Sequence, residues 1–144
     1  MSKINAFTIQ QRLGQLESVS IPWKYYDNNL CGTAVLLQSM VAHGVDLIVF
    51  SSTAATYGEP EHIPIREDDR TSPTNCYGET KLAMENMMKW TGRAHGLRYA
   101  ALRYFNACGA HASGAIGEAH DPETHLIPLI LQVANGQRGK IAVF

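Results

Sequence analysis

Leu47-Ile48-Val49-Phe50, followed by Ser51-Ser52-Thr53, is the stretch that decides the fold. Four apolar residues without polar alternation suit a strand buried on both faces, as in a parallel sheet, although so short a run also fits a helical turn. The order of the neighbouring segments favours the strand. Upstream, Tyr26 to His43 reads as a helix, with Leu30, Ala34, Leu37 and Val41 on one face, Leu36 and Met40 widening it, and Gly44 as the stop. Downstream, Ser51 to Asn75 is polar and turn-rich, with Gly58, Pro60, Pro64 and Pro73. A second helix is expected over Tyr77–His95, ended by Gly96. Tyr77, Lys81, Met84 and Met88 line one of its faces, and Glu85 can pair with Lys89 on another. A strand at Arg98–Phe105 follows, then a loop rich in Gly, Ala and His over Asn106–His120, then a helix at Leu126–Asn135 closed by Gly136. Ile141-Ala142-Val143-Phe144 begins another strand. Helix, strand, helix, strand, helix in this order predicts an α/β fold with a parallel sheet.

Composition narrows the class. A chain of 144 residues is about one domain, and 45% hydrophobic with 17% charged residues excludes a disordered tail. Twelve basic residues against 13 acidic leave a net charge of −1, which carries no electrostatic footprint for nucleic acid. No apolar run approaches the roughly 18 residues of a membrane helix, and Met1-Ser2-Lys3-Ile4-Asn5 lacks a secretory core. Cys31, Cys76 and Cys108 are odd in number and contain no Cys-x-x-Cys spacing, so we expect reduced thiols and a cytoplasmic chain.

Tyr77-Gly78-Glu79-Thr80-Lys81 sets a phenol and an ammonium four residues apart on one helical face. A neighbouring cation favours the phenolate, which makes tyrosine a usable base. A surface Tyr and Lys meeting by accident is the plainer alternative. Ser51-Ser52-Thr53 lies just past the expected strand, where open α/β sheets bind ligands; Ser and Thr there also serve as ordinary caps. No metal site is expected. The six histidines include no His-Glu-x-x-His, and His120 and His125 are five apart rather than helically aligned. Gly139-Lys140 is followed by Ile141, so no P-loop ends there, and Gly109, Gly114 and Gly117 have the wrong spacing for a dinucleotide fingerprint.

Ser51-Ser52-Thr53-Ala54-Ala55-Thr56-Tyr57-Gly58, then Tyr77-Gly78-Glu79-Thr80-Lys81, then Leu102-Arg103-Tyr104-Phe105-Asn106 resemble an extended short-chain dehydrogenase/reductase. More narrowly they resemble the UDP-glucose 4-epimerases. Tyr25-Tyr26-Asp27-Asn28-Asn29 with Gly32-Thr33, and Asp121-Pro122-Glu123-Thr124-His125-Leu126-Ile127-Pro128, match the same family, and the similarity runs from Glu17-Ser18-Val19 to Phe144. Nucleotide-sugar 4,6-dehydratases carry Thr-Asp-Glu in the hydroxyl block, whereas Thr53 here is followed by Ala54 and Ala55.

The resemblance implies an NAD-dependent interconversion of UDP-galactose and UDP-glucose through a 4-keto sugar, in galactose metabolism. Tyr77 would take the proton from the C4 hydroxyl, Lys81 would lower the Tyr77 pKa and bind the nicotinamide ribose, and Thr53 would bridge the sugar hydroxyl and Tyr77. Asn28 and Phe105 align with cofactor contacts and Asn106 with a nucleotide-sugar contact. His125, Leu126 and Ile127, and again Ala142, Val143 and Phe144, fall where the family holds UDP; several relatives have Asn at His125. Read without the resemblance, Asn28 is a first-turn polar residue and Phe105 a core aromatic.

The family opens with a strand, a Gly-rich turn and a helix that receives the NAD pyrophosphate. Met1 to Gln15 contains one glycine, Gly14, and reads as polar and helix-prone. We therefore expect residues 1–15 to be an unrelated or atypical segment and 16–144 to be the central part of the epimerase domain. The fold expected is a partial Rossmann-like, doubly wound parallel sheet lacking the Gly-rich strand–turn–helix and the C-terminal substrate domain, with an exposed strand edge. Such a fragment is expected to have little activity alone. The alternative is a non-catalytic fragment that associates with itself or a full-length epimerase. The family dimerises through helices corresponding to Tyr26–His43 and Tyr77–His95.

Overall fold

The computed structural model describes residues 15–118, 120–121 and 123–141. The chain divides into two compact units, one ending at Phe105 and the other beginning at Asn106.

The first unit opens with two short helices, α1 (Gln15–Ser20) and α2 (Pro22–Tyr25). Pro22 stands in the first turn of α2, where its missing N–H would have no helical partner anyway. From Tyr26 to Cys31 the backbone winds as a π-helical turn and runs directly into α3 (Gly32–Ala42). One helix was expected over this region; the wider first turn has no signature in the spacing of apolar residues. Gly44 ends it with φ of 67°, and the Gly44 and Val45 N–H groups bond back to the Val41 and Met40 carbonyls.

β1 (Leu47–Thr53) extends beyond Phe50 because Ser51, Ser52 and Thr53 continue its pairing with β2 (Arg98–Tyr104). The pairing is parallel, from Leu47 opposite Arg98 to Thr53 opposite Tyr104. A 3-10 turn (Ala54–Thr56), an irregular stretch and α4 (Cys76–His95) connect the two strands. Leu37 and Met40 of α3, Ile48 and Phe50 of β1, Met84 and Met88 of α4, and Leu97 form one core cluster.

The structure departs from the sequence pattern at three points. β1 is not buried on both faces: Ile48, Phe50 and Ser52 point into the core while Val49 is 44% exposed, because the core cluster takes up one face only. The inward stripe of α3 is Thr33, Leu37 and Met40. Val41, expected on that stripe, is turned outward, since the helix is apolar on more than one side and only one can meet β1. Glu85 is buried and pairs with Ser52 and Arg103, not with the exposed Lys89.

Gly58 sits at φ 66°, and a Cβ added there would lie 1.9 Å from the Ser72 carbonyl oxygen. Both conformation and space exclude a larger residue. Gly58→Ala should destabilise the chain by at least about 2 kcal/mol in urea unfolding, and an unchanged midpoint would refute this close approach.

The second unit holds a long loop and α5 (Leu126–Ala134). Gly136, at φ 72°, lies just past the helix, as the sequence pattern requires. Ile141 has no regular structure, and the expected strand beyond it, Ala142 to Phe144, lies outside the described residues. Among the described residues no helix is long and apolar enough to cross a membrane.

Candidate active site

Thr53 ends β1 and begins the 3-10 turn, its Oγ1 accepting the Ala55 N–H at 3.2 Å. A strand end cannot continue its ladder, and the hydroxyl satisfies the first turn that follows. Tyr77 sits in the first turn of α4. Asn75 is the N-cap and accepts the Gly78 N–H at 2.8 Å, while Ser18 of α1 accepts the Tyr77 N–H at 3.1 Å. These two caps fix where the tyrosine enters. Neither was singled out from sequence, although an Asn just ahead of an apolar-periodic stretch is a capping signature. Ser18, 59 residues away from its partner, carries no local signal.

One turn further on, Lys81 is only 1% exposed. Its Nζ donates to the Ser51 carbonyl at 2.8 Å and lies 5.1 Å from the centre of the Phe50 ring and 5.6 Å from that of Tyr77. The Tyr77 phenol is held above its ordinary pKa of 10 by burial, while a side-chain hydrogen bond from Thr53 pulls the other way. The structure therefore brings Thr53, Tyr77 and Lys81 together at the carboxyl end of β1. The expected lowering of Tyr77 by Lys81 is not what this arrangement produces: burial outweighs the hydrogen bond, and the ammonium faces a carbonyl. Chemically, a phenol bonded to a second hydroxyl next to a buried ammonium can pass a proton to or from an alcohol oxygen.

Burial also lowers the Lys81 ammonium from 10.5 to about 8. Unfolded, the lysine keeps its proton to about 10.5. Between those values the unfolded chain binds the extra proton, so stability rises with pH, and below pH 8 the full burial penalty applies. Wild type should gain about 3 kcal/mol of unfolding free energy across that window relative to Lys81→Met. Urea titrations at several pH values read the gain, and parallel pH curves for the two proteins would show that Lys81 is solvated.

Behind the site lies a second cluster. Glu85, one turn beyond Lys81, accepts hydrogen bonds from the Ser52 hydroxyl and, in bidentate fashion, from Arg103 Nε and Nη2, the latter at 2.7 Å. Arg103 lies over the Tyr57 ring, 4.8 Å from its centre, and donates to the Glu67 carbonyl. Glu85 holds the guanidinium well above its ordinary pKa, so this charge is permanent.

Asn28 lies in the π-helical turn, which packs against α4, and its Nδ2 donates to the buried Asn29 Oδ1 at 2.9 Å. Phe105 follows β2 directly and is 63% exposed rather than a core aromatic. Asn106, His125, Leu126 and Ile127 belong to the second unit. There His125 is the residue before α5 and caps it with no side-chain bond; Leu126 and Ile127 are exposed in its first turn. Glu123, held anionic by the N–H groups of His125 and Thr124, supports the helix start instead. Ala142, Val143 and Phe144 lie outside the described residues.

A parallel strand–helix–strand unit with a hydroxyl at the strand end and a Tyr-x-x-x-Lys pair on the connecting helix places the protein in the Rossmann-like α/β class. Within that class the chain belongs to the NAD dependent epimerase/dehydratase family, whose model matches residues 11–144. It is 62% identical over 128 residues to the UDP-glucose 4-epimerase of Halalkalibacterium halodurans, a stretch covering 89% of this chain and 38% of that relative. Among solved structures it is similar to UDP-glucose 4-epimerase from Brucella ovis in complex with NAD (TM-score 0.83, 46% identity, 91% of this chain and 40% of that one). It is also similar to UDP-glucose-4-epimerase from Stenotrophomonas maltophila with bound NAD and formylated UDP-arabinopyranose (TM-score 0.82, 41% identity, 94% and 41%). The chain thus spans about two fifths of the length of the relatives it matches.

Proposed function

We propose that this chain carries the proton-transfer segment of a UDP-glucose 4-epimerase, the enzyme that interconverts UDP-galactose and UDP-glucose through a 4-keto sugar. The observation that carries this reading is the convergence of Thr53, Tyr77 and buried Lys81 at one strand end. Tyr77 takes the proton of the sugar's C4 hydroxyl and returns it; Thr53 bridges that hydroxyl and the phenol; Lys81 is the cation beside them. The 3-10 turn after Thr53 carries Ala54 and Ala55, so no carboxylate stands there for the elimination step of a dehydratase.

Asn28, Thr53, Tyr77, Lys81 and Phe105 are the residues that would hold NAD, which when bound supplies a hydride acceptor and donor for C4. The chain fits such a ligand at the π-helical turn. Asn29 Nδ2 and Thr33 Oγ1 are buried and have no hydrogen-bond partner among the described residues, which leaves polar capacity beside α4. Asn106 would contact the sugar nucleotide. His125, Leu126 and Ile127 would meet UDP at the start of α5, where backbone N–H groups favour an anion.

A chimera tests this. The 128 residues shared with the Halalkalibacterium enzyme are replaced by those of this chain, and conversion of UDP-galactose to UDP-glucose is followed. Turnover at the parent's order of magnitude supports the reading; a folded, NAD-binding chimera without turnover overturns it.

A second reading, association between copies, rests on one observation. Ala34, Leu37, Val41, Ala42, Met87 and Thr91 line an open, largely apolar groove of about 420 Å³ between α3 and α4. A second copy would cover it with its own α3 and α4. Wild type should then elute as a dimer and Val41→Glu as a monomer by light scattering; two monomers reject it.

A further inference from the structure

In the second unit, Glu118, His120, Glu123 and His125 turn one ligand atom each toward a common point, all within 4.8 Å of one another. His120 Nδ1 is 3.1 Å from Glu118 Oε1 and 3.8 Å from Glu123 Oε1, and His125 Nδ1 also meets Glu118 Oε1. The two imidazole rings stand edge to face, 4.5 Å between centres. We propose that these four residues form a binding site for a transition-metal dication of the zinc class.

Ligand spacing agrees with the assignment. Tetrahedral zinc with bonds of about 2.0–2.1 Å to nitrogen and oxygen separates its ligand atoms by about 3.3 Å, so modest rotations of these side chains close the shell. The donor set is two imidazole nitrogens and two carboxylates, which suits zinc, cobalt or nickel better than magnesium or calcium, whose shells are built from oxygen alone. Charge agrees as well. Among the described residues neither Glu118 nor Glu123 is paired with a lysine or arginine; their only ionic partners there are the two imidazoles, so with both rings neutral the mutual repulsion of the carboxylates is relieved by a bound dication. An outer shell is already built: Glu123 Oε1 accepts the Thr124 and His125 N–H groups, both at 2.8 Å, which orients that carboxylate. The four lie as Glu-x-His-x-x-Glu-x-His, which puts the two histidines five apart, off helical spacing, and has no Cys-x-x-Cys signature; Asp121, between the histidines, is a bend. Helical spacing rules pass over such a site for that reason.

The test uses the 144-residue chain stripped with a chelator and titrated with Co²⁺, whose visible bands report tetrahedral coordination, followed by displacement with Zn²⁺. We expect one ion per chain, bound at least about 10-fold more weakly by His120→Ala and lost in His120→Ala/His125→Ala. His111→Ala should bind as wild type does. Both ligand histidines are about half exposed, so the substitutions remove no core packing. Failure to bind Co²⁺, or binding unchanged in the double variant, overturns the site. His125 is shared with the UDP contact proposed above, but no substrate or NAD enters the measurement, so its outcome does not depend on the epimerase reading.

Discussion

Tyr77→Phe is expected to lower kcat of the chimera about a thousandfold while leaving its folding and its affinity for NAD close to those of the parent. Phenylalanine keeps the buried ring, so the packing of α4 on β1 survives, but the proton carrier is gone. General acid–base catalysis is worth about 10²–10⁴ in rate, and here the lost oxygen is the one hydrogen-bonded to Thr53, on a ring whose centre lies 5.6 Å from the Lys81 ammonium. Thr53→Val should cost less, about a hundredfold, because the phenol remains and loses only its hydrogen-bonded bridge. Its Tyr77 phenol should also titrate higher, since Thr53 is the group that pulls it down. UDP-galactose turnover and a pH profile of kcat read both effects. A Tyr77→Phe chimera within tenfold of the parent would remove Tyr77 from the chemistry.

The second large effect is on stability. Glu85→Leu strands the Arg103 guanidinium and the Ser52 hydroxyl without their acceptor. Removing one partner of a buried pair costs about 3–5 kcal/mol. The Arg103 side chain is 23% exposed, so the lower end, about 3 kcal/mol, applies, with a fall in Tm of about 10 °C. Arg103→Leu alone should also destabilise, and the double variant by less than the sum of the two. Additive losses in this cycle would show that the pair is not coupled.

Much of this architecture was legible because it is local. Apolar residues at helical spacing placed Met84 and Met88 in the core with Tyr77 and Lys81, and glycines at 44, 96 and 136 marked helix ends that the backbone does take in the left-handed conformation. What escaped is either long-range or not periodic. Ser52 and Arg103 reach Glu85 from 33 and 18 residues away, and nothing near Glu85 distinguishes it from an ordinary surface partner of Lys89. The exposure of Val49 depends on what lies across the sheet, which an apolar run does not encode. The residues themselves allow two readings of the strand-end hydroxyls, convergence with Tyr77 and Lys81 on one substrate oxygen or ordinary capping; the resemblance to a family is what singles out Thr53. The pKa of Tyr77 depends on burial and on where one ammonium points, and no sequence motif specifies either.

Successive backbone positions at the end of β1 are tied to successive turns of α4: the Ser51 carbonyl to Lys81, the Ser52 side chain to Glu85. This clamp sets how the gene can change length. One residue inserted between Tyr77 and Lys81 would swing everything after it by about 100°, undoing both ties at once. Residues 59–64 are all exposed, so that segment can lengthen or shorten with the clamp intact. Insertions and deletions tolerated by this protein should therefore collect in that loop and be absent from the first three turns of α4.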